Sequence, residues 1–451
     1  MARLTRRRLL ELSALSGGIP LLGGPAVAST PGTTGPRSLG PVVLEPDDPR
    51  YAELTTRGYN ARFTGSPDVV HLVGSAGQVV RAVEEAARTR GRVAVRSGGH
   101  CFENFVDDPA VRVPIDVSEM TAVTYDPDRR VFAVEAGATL GRVYRTLYLG
   151  WGVTVPGAGC PTAGVGGHVA GGGYGALSRR YGLVIDHLHG VEVMVTDRSG
   201  RARLVTATRD STGAERELWW AHTGGGGGNS GVVTRYLFRT PGATGGPAPY
   251  ARSPSATRRT GRSRWTPALD ASRPRAAELL DALAAELTRA AGAPHTSSTA
   301  TTPRLKSVLR GVQWPGGARF KSKSTLLRRP WDDRQIGVLH DHLNRGGPEF
   351  AAAVCLTFLG GRVNDVPAEA TAMPHRDCLF SVVHEAIWGE EEQTERQLAW
   401  FRGLYRELHA DTGRALEDPL PPQPGRAAAP GQRTLGPLDL FRYAPSARPP
   451  G

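Results

Sequence analysis

The chain has 451 residues, room for two or three domains with buried cores. Its four cysteines, Cys101, Cys160, Cys355 and Cys378, are too few for a disulfide framework and form no CxxC pair for zinc. The formal charge of +12 excludes no fold, but its location excludes nucleic acid as a partner: residues 1–8, 251–275 and 414–451 account for all of it and the remainder sums to zero.

The amino terminus, "TRRRLLELSALSGGIPLLGGPAVAST", joins Arg6, Arg7 and Arg8 to a modest apolar stretch and an Ala26-Val27-Ala28 cleavage pattern. The arginine pair followed by Leu9 and Leu10 predicts a Tat-type signal over residues 1–28, then a linker over 29–50, and hence export to the envelope or medium. Gly17, Gly18 and Pro20 break the apolar stretch, so it is not expected to act as a permanent membrane anchor.

Residues 51–240 carry a regular pattern. "VVHLVGSAGQVVRAVEEAARTRGRVAVRSGGH" reads as a short strand, a helix with Val79, Val80, Val83 and Ala86 at helical spacing, and a strand "RVAVRS" that ends on Gly98 and Gly99. Such β-α-β units place ligands at the carboxyl ends of their strands. "VRVPIDVSEM", "VFAVEAGATLGRVYRTLY" and "HGVEVMVTD" follow and read as strands flanked by turns. The region is predicted to be an α+β cofactor domain.

Three glycine clusters punctuate it: "RSGGHCFENF" at 96–105, "PGAGCPTAGVGGHVAGGGYGALSRRYGL" at 156–183 and "HTGGGGGNSGVVT" at 222–234. Glycine lets the backbone close on a ligand, and nine glycines lie between Gly157 and Gly175 alone. No acidic residue about 20 positions downstream frames a dinucleotide fingerprint of the GxGxxG kind. One cluster is compatible with a flexible loop; three in one region imply one large, extended ligand. His100 has no second ligand at metal spacing, so no metal is expected.

Those three stretches resemble the FAD-binding motifs of the berberine-bridge-enzyme-like oxidases, a branch of the vanillyl-alcohol-oxidase superfamily. The likeness is close over residues 50–240 and looser over 318–413. It implies a PCMH-type two-subdomain FAD-binding fold over 51–240 and a second α+β substrate domain over 320–413. It further implies FAD bound twice, at its 8α carbon through His100 and at C6 through Cys160. Arg96, Ser97, Gly98 and Gly99 would line the diphosphate, with Gly164, Val165, Gly166, Gly167 and His168 opposite. Asp116, Val232 and Val233 would border the cofactor, and Tyr174 would present its phenol to flavin and substrate as the catalytic group. Ser230 stands where the family usually has an aromatic residue. The implied reaction takes a hydride from an alcohol, such as a sugar hydroxyl on a secondary metabolite, to flavin N5, with dioxygen reduced to hydrogen peroxide; the group of glycopeptide hexose oxidases is nearest in pattern, and an oligosaccharide or polyketide alcohol is the alternative substrate.

Two segments break the pattern. Residues 241–319 and 414–451 are rich in Pro, Arg, Ala and Gly with little apolar periodicity. The last 38 residues hold nine prolines where the family has a returning segment with an Asn-Tyr motif, whose tyrosine is its usual base. They read either as a linker and a disordered tail or as two shifts of reading frame, the second implying a catalytically impaired flavin-binding protein.

Overall fold

A computed structural model describes residues 40, 42–239, 256–257, 275, 278, 281–282, 285, 317–345 and 351–410. The signal expected over 1–28, most of the aberrant segment 241–319 and all of the tail 414–451 lie outside the described residues.

The first sheet contains β1 (Val42–Leu44), β2 (Val70–Leu72), β3 (Val93–Arg96) and β4 (Val113–Asp116) in the order β1-β2-β4-β3. Strands β2, β4 and β3 run parallel, with Arg96 beside Asp116 at their carboxyl ends. Helix α1 (Tyr51–Thr55) follows β1, and the predicted crossover helix is α2 (Ala76–Thr89). It buries Val79, Ala82, Val83 and Ala86, the i, i+3, i+4, i+7 stripe. It stops at Arg90, which takes a left-handed φ of 54°. The β-α-β reading holds, with one addition from the tertiary structure: β4 inserts between the two strands that the crossover joins.

The second sheet is antiparallel, in the order β5-β6-β9-β7-β8, from β5 (Val123–Asp126), β6 (Val131–Glu135), β7 (Leu188–Thr196), β8 (Ala202–Thr208) and β9 (Val232–Phe238). The segment expected to be wholly strand-like splits here. "VFAVE" is β6, but Leu140–Trp151 forms helix α3, because Leu140, Val143, Tyr144 and Leu147 recur at helical spacing and Thr139 caps the Arg142 amide. The helix α4 (Val165–Ala170), α5 (Ser178–Tyr181) and α6 (Gly213–Ala221) complete this half. One continuous core unites both sheets, from Val79 and Ile115 to Val193 and Tyr236.

The third sheet has the order β10-β12-β13-β11, from β10 (Ala256–Thr257), β11 (Arg319–Leu327), β12 (Ala351–Phe358) and β13 (Phe380–Trp388). Helices α7 (Asp333–Arg345) and α8 (Thr394–Leu408) accompany it. Alternate residues of a strand face opposite sides. Val382 of β13 packs with Leu339, Leu404 and Leu408 of the helices, which leaves Ser381, Glu385 and Ile387 on the face turned to the first domain. Asn60 ties the two domains, since its amide donates to the carbonyls of Phe102 (2.8 Å) and Phe320 (3.0 Å). Among the described residues no helix is long and apolar enough to cross a membrane.

Candidate active site

The carboxyl end of β3 delivers Ser97, Gly98, Gly99 and His100, and the loop before α4 delivers Cys160 to Gly164. The two loops touch backbone to backbone. A Cβ on Gly98 would run into the Gly164 amide and lie 2.9 Å from the Thr162 carbonyl oxygen; a Cβ on Gly164 would run into Ser97 and Gly98 in return. Only glycine at both positions allows this approach. The Ser97 hydroxyl donates to the Ala136 carbonyl (2.6 Å), and the Gly166 amide donates to the same oxygen (2.9 Å), which locks the seam. Tyr236 of β9 adds a hydrogen bond from its hydroxyl to the Gly166 carbonyl (2.8 Å).

This seam brings together the two residues that stand sixty positions apart in sequence. Nε2 of His100 lies 3.0 Å from Oγ1 of Thr162, and Sγ of Cys160 lies 3.5 Å from the same oxygen. Cys160 is a free thiol, and both side chains are half-buried. Desolvation lowers the His100 pKa, so its imidazole is neutral and nucleophilic at neutral pH. Tyr59 stacks on that imidazole with ring centres 4.0 Å apart and planes at 15°. Nothing in the sequence singled out Tyr59 or Thr162, although Thr162 lies inside the quoted glycine-rich motif.

Tyr174 faces the third sheet. Its oxygen accepts a hydrogen bond from the Ser381 hydroxyl (2.9 Å), and burial raises its pKa, with Ser381 opposing and the thiol of Cys355 and the carboxylate of Glu385 adding to the rise. The phenol is therefore protonated near neutral pH. At the other end of the same sheet face, Phe320 meets Tyr59 (5.9 Å) and Phe102 (5.1 Å) edge-on. The half-exposed strip from Ser97 through His100, Cys160 and Thr162 to the open backbone of Gly167 suits a flat ligand, because it sets an imidazole and a thiol beside backbone free of side chains. The ring system of an FAD fits such a surface.

Residues 67–202 match the family model described as an FAD binding domain. The aclacinomycin-N/aclacinomycin-A oxidase of Streptomyces galilaeus is 43% identical over 472 residues, covering 91% of this chain and 86% of that protein. The chain belongs to the berberine-bridge-enzyme-like FAD-linked oxidases. The solved aclacinomycin oxidoreductase superposes with a TM-score of 0.85 at 40% identity, covering 91% of this chain and all (100%) of that one. A glycopeptide hexose oxidase solved with teicoplanin gives 0.82 at 36% identity, covering 92% and 100%. The fold is accordingly the PCMH-type α+β architecture, and the protein is an FAD-dependent oxidoreductase acting on alcohol groups.

Within this oxidase several expected cofactor residues have partners inside the protein. The Arg96 guanidinium is buried in an ion pair with Asp107 (2.5 Å) and also donates to the Leu54 carbonyl, so only its backbone remains for a diphosphate. Asp116, fully buried, accepts from Arg57 (2.9 Å) and from the Ser118 amide (3.0 Å), which makes it an anchor for the loop before β2. Val165 and Val232 lie in the core, and Val233 packs against it. The Val165 amide donates to the Ala138 carbonyl (2.8 Å), so it has no hydrogen bond to offer a phosphate. His168 accepts from the Ala158 amide (3.2 Å), and burial pushes its pKa down to about 4; it is a neutral strut beneath the glycine loop. Gly99 takes a φ of 74°, the left-handed turn that sends the chain on to His100. His100, Cys160, Ser97, Gly98, Gly164, Gly166 and Gly167 remain as the strip itself.

Proposed function

We propose that this protein oxidises a sugar hydroxyl on a secondary metabolite, such as a glycopeptide, with dioxygen as the final acceptor. The observation that carries the reading is the convergence of His100 and Cys160 on one threonine hydroxyl, the arrangement two bonds to one flavin would need. When bound, FAD supplies a two-electron acceptor at N5 and returns the electrons to dioxygen as hydrogen peroxide. The chain's own residues bind and orient. His100 and Cys160 would hold the ring in place, the Gly98–Gly164 seam keeps side chains out of its plane, and Tyr59 limits the tilt of the imidazole. Tyr174 sits with Ser381 at the boundary of the two domains, where its hydroxyl would hold the substrate alcohol and, in its ionised form, take its proton. The greater identity to the solved aclacinomycin oxidoreductase, 40% against 36% for the glycopeptide enzyme, favours as a second reading a polyketide-linked alcohol.

The purified protein is expected to keep its yellow colour on acid precipitation, with His100→Ala and Cys160→Ala each leaving a single bond. Release of all colour into the supernatant would sink the two-bond reading, and a peroxide assay over glycopeptide and polyketide glycosides separates the two substrates. Export by the twin-arginine route belongs to the same proposal. Arg6→Lys with Arg7→Lys should leave precursor in the cytoplasm, and undiminished secretion of that variant would show the signal to be of another kind.

A further inference from the structure

Thr162 stands between the two side chains read above as flavin tethers, and its loop is fixed from several directions. The Pro161 carbonyl accepts from the Gly141 amide (2.9 Å), the Ala163 carbonyl accepts from the Leu140 amide (2.8 Å), and the Thr162 carbonyl abuts Gly98. The imidazole is held as well. Tyr59 covers its face at 4.0 Å, so the ring can turn only in its own plane, and the 3.0 Å contact between Nε2 and Oγ1 of Thr162 sets that turn.

A threonine hydroxyl has one proton to donate and two lone pairs with which to accept. Two proton arrangements therefore satisfy the chain from His100 through Thr162 to Cys160. In the first, the Nε2 proton is donated to Oγ1 and the Thr162 hydroxyl donates to Sγ. The imidazole then keeps a bare lone pair on Nδ1, and the sulfur receives a hydrogen bond while its own S–H points away from Thr162. In the second, the thiol donates to Oγ1 and the hydroxyl donates to Nε2. The imidazole proton then sits on Nδ1 and the thiol proton is held against Oγ1. Only the first arrangement leaves a nitrogen lone pair bare and the thiol proton free to leave at the same time.

We infer that Thr162 is a positioning residue for flavin attachment, whose hydroxyl holds the His100 tautomer and the Cys160 sulfur in the state that lets both bonds form; the inference rests on the two-bond reading above. Each attachment replaces one C–H of the flavin, at 8α or at C6, by a C–N or C–S bond. The hydrogen of that C–H and the hydrogen of the imidazole or thiol depart as protons with two electrons, and dioxygen takes up both to give one hydrogen peroxide per bond.

The test uses the full chain produced with FAD, and it reads attachment rather than turnover: flavin fluorescence of the denatured polypeptide, the absorption spectrum, and the masses of the His100 and Cys160 peptides. Thr162→Val keeps the branched shape without the hydroxyl, and Thr162→Ser keeps the hydroxyl. The wild type and Thr162→Ser are expected to carry both bonds. Thr162→Val should still bind FAD but lack the Cys160 bond or form its bonds at least tenfold more slowly. Both bonds in Thr162→Val at the wild-type rate would overturn the inference while leaving the two-bond reading intact. A wild type without any covalent flavin would overturn the two-bond reading itself and the role of Thr162 with it. Thr162 is exposed, and Thr162→Ala supplies the same comparison if the valine variant does not fold.

Discussion

Alanine at Gly98 perturbs the seam that builds the site. Its Cβ would collide with the Gly164 amide, 2.8 Å from the Gly164 Cα and 2.9 Å from the Thr162 carbonyl oxygen. All three neighbours are backbone atoms, so no side-chain rotation relieves the contact and the two loops must part. Overpacking of a well-filled site costs ~1–3 kcal/mol, and backbone-on-backbone contact places this variant in the upper half of that range. At about 2–4 °C per kcal/mol for a domain of this size, the melting temperature should fall by roughly 4–12 °C. Parting the loops also draws Cys160 and Thr162 away from His100, so less flavin should be retained after acid precipitation. Gly167→Ala is the control. Nothing lies within 4 Å of its Cβ, and alanine is the better helix former by about 1 kcal/mol, so its melting temperature should hold or rise. Thermal unfolding of the two variants beside the wild type decides the matter. A Gly98→Ala protein that melts with the wild type and keeps all its flavin would refute the seam.

Two further outcomes are expected. His384 is fully buried between Trp331 and Tyr405, with Lys323 and His409 nearby, and desolvation first, then His409, pushes its pKa from 6.5 down to about 4. A depressed histidine pKa means the unfolded chain binds the proton more readily. The stability contributed is therefore whole above pH 6.5 and is lost as pH falls toward 4, about 3 kcal/mol in all. Urea midpoints across that window should fall less steeply for His384→Phe than for the wild type, and an unchanged slope would contradict the assignment. Tyr174→Phe should leave flavin content unchanged, lower kcat about 100-fold and remove an alkaline rise in the rate, because the phenol is held protonated by burial; kcat within twofold of the wild type would make Tyr174 a packing residue.

The apolar stripe of α2 and the glycine-ended strand β3 were legible in the amino-acid sequence, because helical periodicity and turn residues are local properties, whereas the pairing of His100 with Cys160 came only from the resemblance of their motifs to a family. The partners of Arg96, Asp116 and His168 were not legible there. A charged or polar residue beside a glycine motif reads as ligand-binding until its partner is known, and the partners here, Asp107, Arg57 and the Ala158 amide, are set by how the chain doubles back. Helix α3 was missed because "VFAVE" and "LGRVYRTLY" read as one strand-like segment, although the turn at Ala136-Gly137 and the Thr139 cap stand between them. By itself the sequence determined the chemistry that the chain can offer: one histidine, one free cysteine and backbone bare enough to lie against a ring. Tertiary structure alone decided that Thr162 joins them, that Tyr59 covers the imidazole and that Tyr174 meets Ser381, since each of these contacts links segments whose separation in sequence carries no record of their distance in space.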